Sequence, residues 1–178
     1  MALALRPQPG TATVLVAARD LPPGVTLTPA DVRTAEVPAG LVPAGTLGTP
    51  SDVDGRVLAG ATRQGEPITD VRLLGEELTR LLAPGADAAT VPLRLSDADV
   101  AGLLAPGSTV DVVGVGERGA EPVVLAERAT VLTVLEEGSD GVMARREEGR
   151  LVVVMLPRHT ATQVAAASLS QSITVTLR

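Results

Sequence analysis

Residues 13–32 run TVLVAARDLPPGVTLTPADV, and almost every position carries a local instruction. The β-branched and apolar run at 13–18 predicts a strand. Leu21-Pro-Pro-Gly24 predicts a turn, because proline presets φ and glycine supplies a positive φ. Thr28-Pro-Ala-Asp31 predicts a short helix. Thr28 is placed to cap it, Pro29 fits the first helical position, and Asp31 suits the positive N-terminal end. Working outward, Val-Pro-Ala-Gly occurs at 37–40 and again at 42–45. Two turns so close together leave room only for short extended pieces. Residues 55–58 and 66–69 read as further short strands. Closely spaced strands with proline and glycine punctuation predict a compact β fold.

The pattern changes at 70–82. Val71, Leu74, Leu78 and Leu81 recur at helical spacing, interrupted by Gly75, which predicts a helix over 76–82. Ala83-Pro-Gly85 stops it. The small residues at 85–89 mark a domain boundary. Strands follow at 91–95, 110–115, 122–135 and 151–156. The last is a continuous apolar run, the pattern of a buried strand. Ser96-Asp-Ala-Asp99 resembles a capping box, with Val100, Leu103 and Leu104 on one face of the helix it opens. Thr160-Ala-Thr-Gln163 reads as a second capping box, opening an Ala-rich helix at 162–169. Residues 136–150 are polar and charged and read as a loop. Alternation at 173–177 predicts a final half-buried strand. The expected fold is mainly β with a few short helices. It comprises a tail at 1–12, a β domain at 13–75, a helix and linker at 76–89, and a second small β-rich (α+β) domain at 90–178.

Composition excludes most catalytic chemistry. The chain of 178 residues has no Cys, Lys, Asn or aromatic residue, and one His. Thiolate metal sites, cysteine nucleophiles and Schiff-base lysines are therefore absent. So are aromatic platforms for stacking bases. The net charge of −6 opposes nucleic-acid binding. These absences lead to the expectation of a non-enzymatic binding or assembly module without a cofactor or metal. No apolar run approaches the roughly 20 residues of a membrane helix. Residues 1–5 (MALAL), before a Pro-rich segment, read either as a frayed terminus or as the last turn of a membrane helix.

Each candidate motif has a plainer alternative. Gly114-Val-Gly116-Glu-Arg-Gly119 fits the dinucleotide fingerprint, but a strand-like stretch follows where that fingerprint needs a helix. His159 lacks the companions a metal site requires. The carboxylate pairs Asp52/Asp54, Asp97/Asp99 and Glu147/Glu148 read as caps and solvated loops rather than acid–base pairs. Arg19, Asp20 and Arg56 flank turns of the first domain. They are its candidate ligand or interaction residues, since an arginine can grip an anion in bidentate fashion. Gly107 is assigned to a turn and Asp111 to a strand. Asp111 either faces outward or accepts backbone N–H groups from the 106–107 turn.

The order of elements over 14–75 resembles a SAF domain. The matching residues are 14–24 (VLVAARDLPPG), Leu27-Thr-Pro-Ala-Asp-Val32, Val37-Pro38, Gly55-Arg-Val57 and Gly65-Glu-Pro-Ile68. The second half, with Leu81-Leu-Ala-Pro-Gly85 and 100–112 (VAGLLAPGSTVDV), resembles the CpaB/RcpC family. It departs from that family at Ser108, where aspartate is usual. The resemblance implies a SAF β-clip fold in the first domain. It also implies a scaffold role in Flp (tight-adherence, type IVb) pilus assembly, in the cell envelope outside the cytoplasmic membrane. The implied partners are other assembly proteins, among them a secretin where an outer membrane exists, and the implied anchor is an N-terminal membrane helix. The alternative is a SAF module that binds a sugar acid or cell-wall glycan. SAF-containing enzymes carry further catalytic domains, for which this chain has no room.

Overall fold

The computed structural model describes residues 10–115, 121–135 and 150–178. The 1–9 segment, Gly116 and Gly119 of the glycine motif, and Glu147/Glu148 lie outside them. The chain is mainly β, in two domains with separate apolar cores.

In the first domain β1 (Thr11–Ala17) pairs antiparallel with β2 (Val32–Pro38), in a register running from Thr11 opposite Pro38 to Ala17 opposite Val32. Val14, Leu15, Val16 and Ala17 are all buried, so β1 is covered on both faces. The other extended pieces touch through single bridges: Val16 with Pro67, Leu21 with Thr62, Thr26 with Val57, Thr46 with Thr69, and Leu58 with Leu73. Frequent turns allow nothing longer. Leu15, Leu27, Val53, Leu58, Ile68 and Leu73 fill the interior.

A unit occurs three times here. A glycine with positive φ is followed four residues later by a threonine that opens a 3-10 turn, and a buried apolar residue closes the unit. The glycines are Gly24, Gly45 and Gly65. The turns are Pro29–Asp31, Pro50–Asp52 and Asp70–Arg72, and the closing residues are Val32, Val53 and Leu73. In the first two, proline opens the turn and an aspartate carboxylate accepts the threonine N–H, 2.9 Å away in each case. The sequence signal is Thr-Pro-x-Asp-Val at 28–32 and 49–53, a repeat that the expected strands and turns leave out.

Helix α1 (Glu76–Leu82) joins the domains. Its apolar face is narrower than the spacing suggested. Leu78 is buried, but Leu81 is 60 % exposed. The reason is that residues 70–72 form a separate 3-10 turn and the helix begins only after Gly75.

The second domain contains β3 (Ala88–Arg94), α2 (Ala98–Gly102), β4 (Thr109–Val115), β5 (Val123–Leu135), β6 (Leu151–Pro157), α3 (Arg158–Ala167) and β7 (Ser172–Leu177). Its sheet is antiparallel, in the order β3-β6-β5-β4-β7. A parallel bridge between Leu95 and Ile173 brings the two outer strands together at one end. On β6, Val152, Val154 and Leu156 join the domain core with Ala161 and Val164 of α3. Val153 and Met155 face the other way, into a cluster with Leu132, Leu78 and Ala59. Burial on both faces explains the continuous apolar run of this strand.

Both capping boxes expected in this domain shift. The cap of α2 is Asp97, whose carboxylate accepts the N–H groups of Asp99 and Val100. Ser96 instead donates its hydroxyl to the Ile173 carbonyl at 3.1 Å. A five-residue helix offers only a short face, so Ala101 and Leu104 are buried while Leu103 is 70 % exposed. α3 begins at Arg158, not near Thr162, directly after Pro157. Pro157 has a φ suited to the start of a helix. The Arg158 N–H donates to the Asp87 carbonyl at 2.8 Å, and its side chain pairs with the Asp87 carboxylate.

Candidate functional site

The polar face of the first domain lies where β1 leaves the sheet. Ala17 is buried, and the next residues must cross to the Leu21 turn. Arg19 folds back over the first 3-10 turn. Its Nε and Nη2 donate to one oxygen of Asp31 at 3.1 and 2.7 Å. The other oxygen accepts the Thr28 N–H at 2.9 Å and its hydroxyl at 2.8 Å. Asp31 is 7 % exposed. Burial works to raise its pKa, but the Thr28 and Arg19 donors outweigh burial and hold the carboxyl below its ordinary value. This charge is structural: it ties the end of β1 to the turn that begins β2.

Asp20 points the other way. Its carboxylate accepts the Gln64 N–H at 2.9 Å and pairs with Arg63. The Gln64 N–H is the leading cause of its lowered pKa, followed by Arg63. Gln64 also donates from its side chain to the Ala18 carbonyl at 2.9 Å. A shallow cleft of about 480 Å³ lies beside this pair, lined by Asp20, Pro22, Pro23, Ala61, Thr62 and Arg63. Further along, Arg72 pairs with Glu66. Three arginines of this face are therefore already engaged by carboxylates. Arg56 is half-buried with its guanidinium beside Gly75, and among the described residues it has no ion pair. The structure does not gather Arg19, Asp20 and Arg56 into one anion cradle. Arg63 and Gln64 carry no signal in the sequence, because their partners Asp20 and Ala18 stand more than forty residues away.

A second feature is the seam between the domains. Gly24 has φ +81°, and a Cβ there would overlap the Val134 carbonyl of β5. The turn glycine thus satisfies a left-handed backbone and a close approach at once. Nearby, an apolar groove of about 260 Å³ has walls that include Ala59, Val71 and Leu78 on one side and Gly107, Val131 and Leu132 on the other. Gly107 has φ +90° and donates its N–H to the Val131 carbonyl at 2.8 Å. Ser108 accepts the Ala105 N–H on its hydroxyl at 3.2 Å, so a neutral side chain closes this turn.

Asp111 does accept a backbone N–H, but not from the 106–107 turn. The donor is Arg128 at 2.8 Å, with Arg178 Nε at 2.9 Å to both oxygens. Arg128 has φ +56° and occupies a bulge where three steps of β5 face two of β4. The Arg128 N–H is the leading cause that lowers the Asp111 pKa, with Arg178 adding to it against burial. Gly114, the first residue of the glycine motif, lies in β4 and pairs with Val123 and Ile173. His159 sits exposed in the first turn of α3 beside the Thr160 hydroxyl. Asp52 caps its 3-10 turn.

Residues 12–74 match the family of SAF domains. The first domain is a SAF domain. The match begins at β1 and stops just short of α1, and it takes in all three turn units. No curated protein and no solved structure matches the chain. Among the described residues no helix is long and apolar enough to cross a membrane.

Proposed function

We propose that this SAF-domain protein is a non-enzymatic scaffold of the CpaB/RcpC type in Flp pilus assembly, on the extracytoplasmic side of the cytoplasmic membrane. The observation that carries the reading is the way the SAF domain is joined to its neighbour. Ala59 and Leu78 pack against Leu132 and Val153 of the second sheet, and Gly24 seats its turn on β5. A SAF domain fixed in this way presents a shaped surface to another protein. The carboxylates of its polar face are engaged in structural pairs, which fits binding better than acid–base chemistry. The order of motifs across the second half supports the family. In this reading the partners are other assembly proteins, with a secretin where an outer membrane exists, and the chain needs no cofactor.

The alternative, capture of a sugar acid or glycan, requires a cation free to meet a carboxylate. Arg19, Arg63 and Arg72 are taken, which leaves Arg33 on β2 and Arg56 beside Gly75 as the SAF-domain candidates among the described residues.

Crosslinking and co-purification of the native protein from its own cell envelope tests the proposal. Recovery of prepilin, the pilus ATPase platform or a secretin is the expected result. Recovery from the soluble cytoplasm with no pilus component attached overturns it.

A further inference from the structure

The described strand edges are guarded unequally. β2 carries Arg33 and Glu36 and ends at Pro38. β3, one outer strand of the large sheet, has Pro92 near its centre and α3 packed against it. β7, the other outer strand, reads Ser-Ile-Thr-Val-Thr-Leu and has neither charge nor proline. Native proteins normally block such an edge, because its unpaired backbone groups template another strand.

Part of the β7 edge is in use. The Ile173 carbonyl accepts the Ser96 N–H at 2.9 Å and the Ser96 hydroxyl at 3.1 Å. Beyond it the ladder decides what is free. The Arg178 N–H donates to the Thr109 carbonyl at 3.2 Å, so Arg178, Thr176 and Thr174 turn their backbone groups toward β4. Alternate residues of an antiparallel ladder face opposite edges. The N–H and C=O of Val175 and Leu177 therefore point outward, and among the described residues no strand pairs with them.

We propose that this edge docks a second copy of the chain, antiparallel, about a two-fold axis through Thr176. That register sets Val175 of one protomer opposite Leu177 of its partner, and Leu177 opposite Val175. Every free backbone group of the edge then finds a partner in a closed, isologous contact. An axis through Val175 would instead place Leu177 against Ile173, whose carbonyl is already engaged. The two Thr176 side chains meet across the axis, a favourable cross-strand pair. Leu177, 53 % exposed, gains cover. The edge itself is uncharged, so two chains of net charge −6 meet where they repel least. The contact is short, and the dimer is expected to be weak, with Kd on the order of 100 µM. The inference does not depend on the pilus reading.

The absence of cysteine makes the test direct. Facing non-hydrogen-bonded positions bring Cβ atoms within reach of a disulfide. Under mild oxidation of the full chain, Thr176→Cys is expected to form covalent dimers about tenfold faster than Leu169→Cys, a control at a site 89 % exposed. Equal rates overturn the proposal. Sedimentation equilibrium gives a second readout that does not depend on the cysteine variants. Leu177→Pro removes an outward N–H and leaves the β4 ladder intact, so it is expected to abolish association without lowering Tm. A wild-type chain that stays monomeric up to millimolar concentration, or a Leu177→Pro chain that associates like wild type, also overturns it.

Discussion

The SAF domain holds one continuous strand pair and a set of single-residue bridges, whereas the second domain holds five strands in an extended ladder. The first therefore relies on turns. Its three glycine–threonine units place Val32, Val53 and Leu73 in the core, and a buried aspartate ties the first unit to β1. The second relies on the sheet, where the half-buried Asp111 accepts the Arg128 N–H at a bulge and pairs with Arg178. Substitutions at turn positions should thus be costlier in the first domain than polar substitutions in the second.

Gly24 gives the largest expected effect, because there the turn meets the other domain. Alanine must adopt φ +81° and also displace the Val134 carbonyl. The expected loss is about 3 kcal/mol, a fall in Tm of about 6–12 °C. Gly55 shares the positive φ, at +72°, but a Cβ added there would meet nothing within 4 Å. Gly55→Ala should therefore lose only about 1 kcal/mol. Equal losses at the two sites in thermal melts would mean that the seam between the domains contributes nothing.

Asp31 comes next. Asp31→Ala removes the acceptor of four donors, while Arg19, more than half exposed, can return to water. The expected loss is about 2 kcal/mol, or about 4–8 °C in Tm. The pH dependence has a definite sign. The folded pKa is depressed, so the contribution is fully present above the unfolded value of about 3.9. It declines below that value as the unfolded chain takes up protons first, and it is lost once the pH passes below the folded value. The stability gap between wild type and Asp31→Asn should narrow in urea titrations between about pH 5 and pH 2. A gap that is constant over this range would show that the carboxylate charge is irrelevant.

These contrasts show what the sequence discloses and what it hides. The strand at 13–18, the helix at 76–82 and the two-sided burial of 151–156 were legible because period and composition are local properties. Thr28, Pro29 and Asp31 were legible as a turn, since capping acts over three residues. The Arg19 contact to Asp31 was not, because it spans twelve residues and competes with an ordinary exposed arginine. The start of α3 was missed because the fixing partner, Asp87, lies 71 positions away. The Arg128 bulge carries no local signature: a non-glycine residue takes a positive φ there only because Asp111 and the neighbouring strands hold it.

Asp111→Asn tests that last point and should cost less than Asp31→Ala. Asparagine still accepts the Arg128 N–H but loses the charge facing Arg178. A fall in Tm on the order of 3 °C is expected. A loss larger than that of Asp31→Ala would reverse the contrast between the domains and make the bulge the weak point of the molecule.

Asp20 gives the smallest expected change and bears most directly on function. Its pair with Arg63 is exposed on both sides, so Asp20→Ala should move Tm by only about 1 °C. The same substitution releases the Arg63 guanidinium at the mouth of the shallow cleft. If the SAF face were built to hold a sugar acid, calorimetric titration with one should show binding to wild type that changes when the competing carboxylate is removed. The scaffold reading expects no heat with wild type. It expects at most a weak, salt-sensitive signal with Asp20→Ala, because a lone exposed guanidinium attracts an anion without the convergent donors that would select one. Tight binding to wild type, with Asp20 and Arg63 still paired, would move the functional surface of the SAF domain to Arg33 or Arg56, which have no ion pair among the described residues.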